Sequence, residues 1–216
     1  MSQLNANEVI LNRAAQEVTQ DLLVNLGIGL PQQLTQHLAA AQTPMILSEN
    51  GLIGVGKALP HEQANAYCMD AGGAYVDVVP GASFVDSALS FGLIRGGYVD
   101  LAFLGAFQVS QFGDLANWHV PGAKKTGMGG ALEIASCAKK LVVLMRHQDK
   151  QGRAKILSHC TFPLTSHRCV NRIITEQAVF DIDKDGLILR ETLAGYCVEA
   201  IKANTEAPFR LAPDLT

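Results

Sequence analysis

The chain has 216 residues, 48% of them hydrophobic and 17% charged, with a formal net charge of -3 and a pI near 6.0. A chain of this length buries roughly 70% of its unfolded surface, which suits one domain over residues 1–216, and the mean hydropathy of +0.16 leaves apolar surface for a partner subunit. The acidic balance disfavours nucleic acid as main ligand, since phosphate-backbone binding needs a basic excess; no apolar run reaches the ~18 residues of a membrane span, and MSQLNANEVI lacks the order of a signal peptide. A cytoplasmic protein without membrane contact is expected.

In chain order, Val9, Ile10, Ala14 and Val18 recur at helical spacing over Asn7 to Thr19, and Asp21 to Leu26 follows as a short buried strand. Gly27-Ile28-Gly29-Leu30-Pro31 turns into a second helix, Pro31 to Ala40, with proline at its favoured first position. A strand at Met45 to Leu47 gives way to a glycine-rich loop. Gly72 to Val79 reads as a strand stopped by Pro80-Gly81, followed by a helix from Ser83 to Arg95 that ends at Gly96-Gly97. Val99 to Leu104 is a buried strand, and a long loop then runs from Gly105 through Trp118 to Met128. Gly129-Gly130 opens a helix ending near Ala138, before the strand Lys140 to Met145. Farther on, Ala178 to Asp181 and Leu187 to Arg190 flank Asp185-Gly186 as a hairpin, and a last helix covers Val198 to about Asn204. This alternation predicts an α/β fold, an open, largely parallel sheet covered by helices, with a C-terminal β-hairpin and helix.

In such sheets ligands bind beyond the carboxyl ends of the strands. Asn25 to Gly29, Glu49 to Gly56 and Gly105 to Gly130 all follow strands and are expected to share one cleft. Gly127-Met128-Gly129-Gly130 before a helix resembles an anion cradle. Neither glycine loop completes GxGxxG, and GxxxxGK[ST] is absent, which disfavours nicotinamide and ATP. Five scattered cysteines without a CxxC pair fit reduced thiols. His159-Cys160 with His167 and Cys169 matches no zinc spacing, so no metal is expected.

Within this frame Ser48-Glu49-Asn50-Gly51 is the feature to explain. A carboxylate at the end of an apolar strand costs free energy unless it is hydrogen-bonded or kept for a task, and Gly51, Gly54 and Gly56 clear side chains so that a ligand can approach. An ordinary turn, with Glu49 solvated and Asn50-Gly51 as a hairpin dipeptide, fits the same residues.

The longer motifs resemble a known family. V-N-L-G-I-G-L-P at Val24 to Pro31, S-E-N-G at Ser48 to Gly51, G-D-L-A-N-W at Gly113 to Trp118, Pro121-Gly122 and G-M-G-G-A at Gly127 to Ala131 occur in its order. P-L-T at Pro163 to Thr165 and C-V-N-R-I-I-T-E at Cys169 to Glu176 extend the match, which resembles the β subunit of family I 3-oxoacid CoA-transferases. The resemblance implies that Glu49 is the catalytic glutamate, forming a glutamyl-CoA thioester, and that Asn25 and Gly130 line the oxyanion and thioester site. It also implies that Gly27, Gly29, Gly129 and Ala131 line the CoA site and that an α subunit completes the enzyme. The substrates would be a CoA thioester and a short-chain carboxylic acid, acetoacetate with acetate or succinate first and 3-oxoadipate second, with no prosthetic group. A thioesterase and a ligand-sensing domain are the alternatives. Lys124-Lys125 is a candidate phosphate contact. Ala71-Gly72-Gly73 departs from the family pattern, in which mitochondrial members carry lysine at the third position. Asp86, Arg95 and Gln108 suit capping or core-edge roles as well as ligand contact.

Overall fold

Asn5 opens the first helix, α1 (Ala6–Ala15), through a capping box: its side chain accepts the Asn7 N–H at 3.0 Å and Glu8 accepts the Asn5 N–H at 2.9 Å. The computed structural model describes residues 5–39, 42, 44–122 and 127–216. After α1 come β1 (Leu23–Leu26), a 3₁₀ stretch (Pro31–Gln36), β2 (Met45–Ser48), β3 (Leu52–Ala58), β4 (Val76–Phe84) and α2 (Ser87–Arg95). Next are β5 (Leu101–Gly105), β6 (Gln108–Ser110), β7 (Leu115–Ala116), α3 (Ala131–Cys137), β8 (Leu141–Leu144) and β9 (Ile156–Leu157). The chain closes with β10 (Arg172–Ile174), β11 (Ala178–Asp183), β12 (Gly186–Thr192), α4 (Val198–Asn204) and β13 (Phe209–Leu211).

Ten strands form one sheet in the order β13-β12-β11-β10-β8-β5-β1-β2-β3-β4. The five central strands, β10 to β2, are parallel; β11 and β12 on one side and β3 and β4 on the other join by antiparallel pairs, and β13 at the edge runs parallel to β12. Period-2 alternation decides which helix covers which face. Leu101, Phe103, Val142 and Leu144 pack with Ile10, Leu11 and Ala14 of α1, whereas Ala102, Leu104, Leu141 and Val143 pack with Ile94 of α2 and Ile134 of α3. Both faces of the central strands are therefore dry, as their uninterrupted apolar runs require.

Several expectations are corrected. The helix predicted from Pro31 is a 3₁₀ stretch ending at Gln36, and its predicted end at Ala40 lies outside the described residues. The glycine-rich loop after Glu49 is mostly β3, antiparallel to β2. Its glycines admit backbone rather than ligand: a Cβ on Gly54 would stand 2.8 Å from Ala82, and one on Gly56 3.0 Å from Asp77, both on β4. Proline does not stop β4, because β4 is the edge strand and one of its sides has no ladder to donate to. The helix expected from Ser83 starts at Ser87, where Asp86 caps it by accepting the Leu89 N–H at 2.8 Å. The long loop after Gly105 contains β6 and β7, which join β9 in a separate three-stranded sheet. The C-terminal hairpin is present, turning at Lys184-Asp185 with Gly186 at φ +110°.

Candidate active site

β1, β2 and β5 are neighbours and parallel, so Leu26, Ser48 and Gly105 end side by side and their loops share one edge, as expected. Glu49-Asn50-Gly51 is the turn between β2 and β3, closed by the Gly51 N–H donating to Ser48 O at 2.9 Å. The ordinary turn that these residues also fit is thus present. What distinguishes Glu49 is how its neighbours are occupied. Ser48 Oγ accepts the Ala71 N–H at 2.9 Å, and Asn50 Nδ2 donates to Met69 O at 2.8 Å. Gly51 O accepts the Val85 N–H at 2.8 Å, and a Cβ on Gly51, at φ +113°, would stand 2.0 Å from Val85 O. Three of the four residues bolt the turn to its surroundings. Among the described residues no hydrogen bond or ion pair engages the Glu49 carboxylate, which is half-buried in the wall of a cleft of about 680 Å³.

The same cleft is lined by Gly27, Gly129, Gly130 and Ala131, so the structure gathers these predicted residues with Glu49. Gly27 carries no Cβ because one would meet Leu104 Cδ2 at 2.7 Å, and its N–H donates to Phe103 O at 2.8 Å. Gly127 and Gly129 have φ of +84° and +55°, bending the backbone over the opening before α3. Gly29 lies apart. Its N–H donates to Gln32 Oε1 at 2.8 Å, and it borders a second hollow of about 360 Å³ with Gln32 and Gly72. Asn25 lies inside the sheet, fully buried between β2 and β5, with Nδ2 donating to Leu47 O at 2.9 Å. That bond ties β1 to the strand that carries Glu49. Asn25 Oδ1 has no hydrogen-bond partner among the described residues. Lys124 and Lys125 lie outside the described residues.

The G-D-L-A-N-W and P-L-T motifs meet each other across the cleft's outer wall. Thr165 Oγ1 donates to Asn117 Oδ1 at 2.6 Å, Asn117 Nδ2 donates to Gly105 O at 3.1 Å, and Trp118 Nε1 donates to Leu164 O at 3.2 Å. Gln108 Oε1 accepts the Thr161 and Phe162 N–H groups at 2.8 and 3.0 Å, so its role is structural. Arg95 lies over the Phe91 ring, 5.8 Å from its centroid. Cys160 and Cys169 donate to the Asp114 and Gly113 carbonyls, and burial pushes their thiols up to about 12 and about 11. Both thiols are therefore protonated near neutral pH.

Sequence reasoning missed two cations on the cleft, Arg146 and Lys155. Arg146 follows β8 by one residue beyond Met145 and pairs with Glu176 at 3.5 Å. Burial pushes the Lys155 ammonium down to about 8, against the opposing pull of Glu176 and Asp149. Neither residue belongs to a periodic or glycine motif, and only the tertiary fold brings them near Glu49. His147, between them in the chain, is fully buried against Thr175 and Thr205, and burial lowers it to about 4, so it is neutral and structural.

One strand-end turn of this open α/β sheet thus carries a carboxylate with no partner among the described residues, and glycines and two cations line the same cleft. Residues 8–204 match the family model described as Coenzyme A transferase, and the chain belongs to that family. CoA transfer is its class of reaction. A probable coenzyme A transferase subunit beta of Bacillus subtilis is 45% identical over 94% of both chains. The acetate CoA-transferase subunit beta of Haemophilus influenzae is 44% identical over 98% of this chain and 94% of its own. The human mitochondrial succinyl-CoA:3-ketoacid coenzyme A transferase 2 is 44% identical over 98% of this chain, which spans only 41% of that protein. The fold agrees with an acyl-CoA transferase of Escherichia coli O157:H7, with a TM-score of 0.77 at 20% identity, covering 98% of this chain and 42% of that one. Among the described residues no helix is long and apolar enough to cross a membrane.

Proposed function

We propose that this chain is the β half of a 3-oxoacid CoA-transferase, moving CoA between a short-chain acyl-CoA and acetoacetate through a thioester on Glu49. The observation that carries this reading is the division of labour in Ser48-Glu49-Asn50-Gly51, where three residues fix the turn and only the carboxylate is left to act.

Exchange of CoA between two carboxylic acids is nearly energy-neutral, so a third carboxylate can hold first the acyl group and then CoA. The Glu49 carboxylate attacks the acyl-CoA carbonyl; the C–S bond breaks, CoA leaves as thiolate and an acyl-glutamyl anhydride remains. The thiolate attacks the Glu49 carbonyl, the anhydride C–O bond breaks, and the first acid leaves as carboxylate. The incoming acid then attacks the Glu49 thioester, and the released thiolate takes its acyl group, restoring Glu49. Every attack builds an oxyanion. Gly130 lines the cleft, and its backbone N–H would receive that charge, a donor of this kind contributing roughly 3 kcal/mol. Asn25 supports the reaction from below by holding β2, and its unpartnered Oδ1 marks a polar position under the turn. Gly27, Gly129 and Ala131 leave room for the thioester, with Gly29 on the adjoining hollow.

A separate α subunit closes the cleft, which the relatives' subunit designations support. Exposed Ile28, Phe84, Leu89 and Leu132 supply apolar surface for such a partner. The enzyme would work in the cytoplasm and need no prosthetic group.

The test is to incubate the enzyme, assembled with its α subunit, with acyl-CoA alone. A mass increase equal to CoA on the peptide containing Glu49, removed by borohydride, is the expected result. Active enzyme lacking both signals would indicate direct transfer, and steady hydrolysis without transfer would indicate a thioesterase.

A further inference from the structure

Lys155 occupies an unusual position for a lysine. Its backbone is clamped from two sides, with its N–H donating to His147 O at 3.3 Å and its carbonyl accepting the Val109 N–H at 3.0 Å, so the root of the side chain is fixed. The side chain is half-buried on the cleft that holds Glu49, yet among the described residues no hydrogen bond or ion pair engages its ammonium. The carboxylates near it are committed elsewhere. Glu176 accepts the His147 N–H at 3.0 Å and pairs with Arg146, while Asp149 pairs with Arg153 at 2.6 Å and accepts the Gln151 and Arg153 N–H groups at 2.9 Å each. A half-buried ammonium without a partner is costly to keep unless an anion arrives to complete it.

We propose that Lys155 is a specificity-determining residue that receives the distal carboxylate of a dicarboxylic acyl group while the other carboxyl reacts at Glu49. The inference rests on the function proposed above and names the acid that the cleft selects. Arg146, on the same wall, adds positive potential but keeps Glu176, so Lys155 is the group free to bind. Glu49 and Lys155 line the same cleft, whose volume of about 680 Å³ leaves room for a four-carbon diacid. The phosphates of CoA are separated from its sulfur by the whole pantetheine arm, whereas Lys155 lines the same cleft as the reacting carboxylate. The depressed Lys155 pKa, about 8, fits the same picture, because a bound carboxylate would reverse the effect of burial.

The test compares succinate with butyrate, acids of equal carbon number of which only one has the distal carboxylate, as CoA acceptors for the assembled enzyme. Lys155→Met should lower the succinate-to-butyrate ratio of kcat/KM on the order of 10- to 100-fold, the value of one charge-assisted hydrogen bond, and Lys155→Arg should restore part of it. A proportional loss for both acids, or a wild-type enzyme with no preference for succinate, would overturn the proposal. So would a variant that no longer distinguishes CoA from dephospho-CoA, which would place a phosphate at Lys155. If the wild-type assembly transferred CoA to neither acid nor to acetoacetate, the function above would fail instead, and the subsite would be read by binding. Succinate, but not butyrate, should then raise the melting temperature of the wild-type chain and not that of Lys155→Met; equal shifts would sink it.

Discussion

The two ends of the parallel strands treat charge in opposite ways. At the amino end a network of charges is paired: Glu17 is bonded to Arg13 at 2.9 Å, to Lys140 at 2.7 Å and to Arg172, while Asp181 meets Arg172 at 2.7 Å and Arg190 at 2.8 Å. At the carboxyl end Glu49 and Lys155 share a cleft, and among the described residues neither has a hydrogen-bonded partner. Both regions belong to one sheet and are linked by the same strands, so the contrast is not one of general polarity. Charge that is fully paired stabilises the fold, and charge left unpaired is available to a substrate. If this is right, substitutions at the two ends should separate stability from activity.

The largest effect is expected at Glu49. Glu49→Gln keeps the size and polarity of the side chain but removes the nucleophile, so transfer by the assembled enzyme should fall on the order of 10⁴-fold or more. Because the carboxylate holds nothing in place, the melting temperature should move by less than about 2 °C. Steady-state transfer assays and thermal melting of the same preparation check both halves; a clear drop in melting temperature would return Glu49 to a structural role.

Gly51 should break the separation, because it joins the turn to the fold. With φ at +113° and Val85 O 2.0 Å from where a Cβ would lie, Gly51→Ala forces the turn away from Val85. We expect a stability loss of about 3 kcal/mol together with a fall in activity, since Glu49 moves with the turn. Denaturant unfolding alongside the transfer assay would show it, and an active, fully stable Gly51→Ala would contradict the close approach.

Glu17 lies at the opposite end and should act on stability alone. Burial would raise its pKa, but the Lys140 ammonium and the Arg172 and Arg13 guanidiniums outweigh burial and hold it at about 2, against an ordinary 4.5. The folded value lies below the unfolded one, so this stabilisation is complete above pH 4.5 and is lost as pH falls through 4.5 towards 2. The window is worth about 3 kcal/mol. Glu17→Gln should therefore cost about 3 kcal/mol at pH 7, leave the turnover of assembled enzyme within about twofold, and flatten the acid limb of the stability profile. Urea unfolding at pH 7, 4 and 3 measures all of this except turnover; a variant with the wild-type acid limb would show that other groups set it.

How far these features were legible from sequence follows from their range. Elements fixed by local pattern were visible: the apolar runs of β5 and β8, the turn between β11 and β12, and the start of α3 after Gly129-Gly130. Glu49 stood out because a strand end, a carboxylate and a glycine are adjacent in the chain. β3 was hidden because Gly54 and Gly56 carry a loop's composition, and they do so for a tertiary reason, the close approach of Ala82 and Asp77. β6, β7 and β9 are two or three residues long, too short for any period to register. Lys155 and two partners of Glu17 were invisible because only the tertiary fold brings them into place: Lys140 and Arg172 lie more than a hundred residues from Glu17 along the chain. The resemblance supplied the family before the fold was known, whereas the bond from Asn25 to Leu47 O, inside the sheet, needed the structure.

The smallest effect is expected at Lys139, and it is the most exacting check on the contrast because Lys139 adjoins Lys140. Both lysines precede β8 at the amino end, and both touch a carboxylate, Lys139 meeting Asp100 at 2.6 Å. Their surroundings differ. Glu17 is 6% exposed and has three cationic partners, whereas Lys139 is 61% exposed and Asp100 28%, so water and salt screen their attraction. Asp100 also accepts the Leu23 N–H at 2.9 Å, a bond that survives loss of the lysine and keeps the starts of β1 and β5 together. Lys139→Ala should therefore change unfolding free energy by less than about 0.5 kcal/mol, and that difference should vanish in 1 M salt, where the screening length is only about 3 Å. Lys140→Ala should cost more, and its effect should persist in salt because the carboxylate it leaves is buried. Paired unfolding curves at low and high salt decide the matter: equal, salt-sensitive losses for the two lysines would mean that burial of Glu17, rather than pairing as such, is not what separates this end of the sheet from the other.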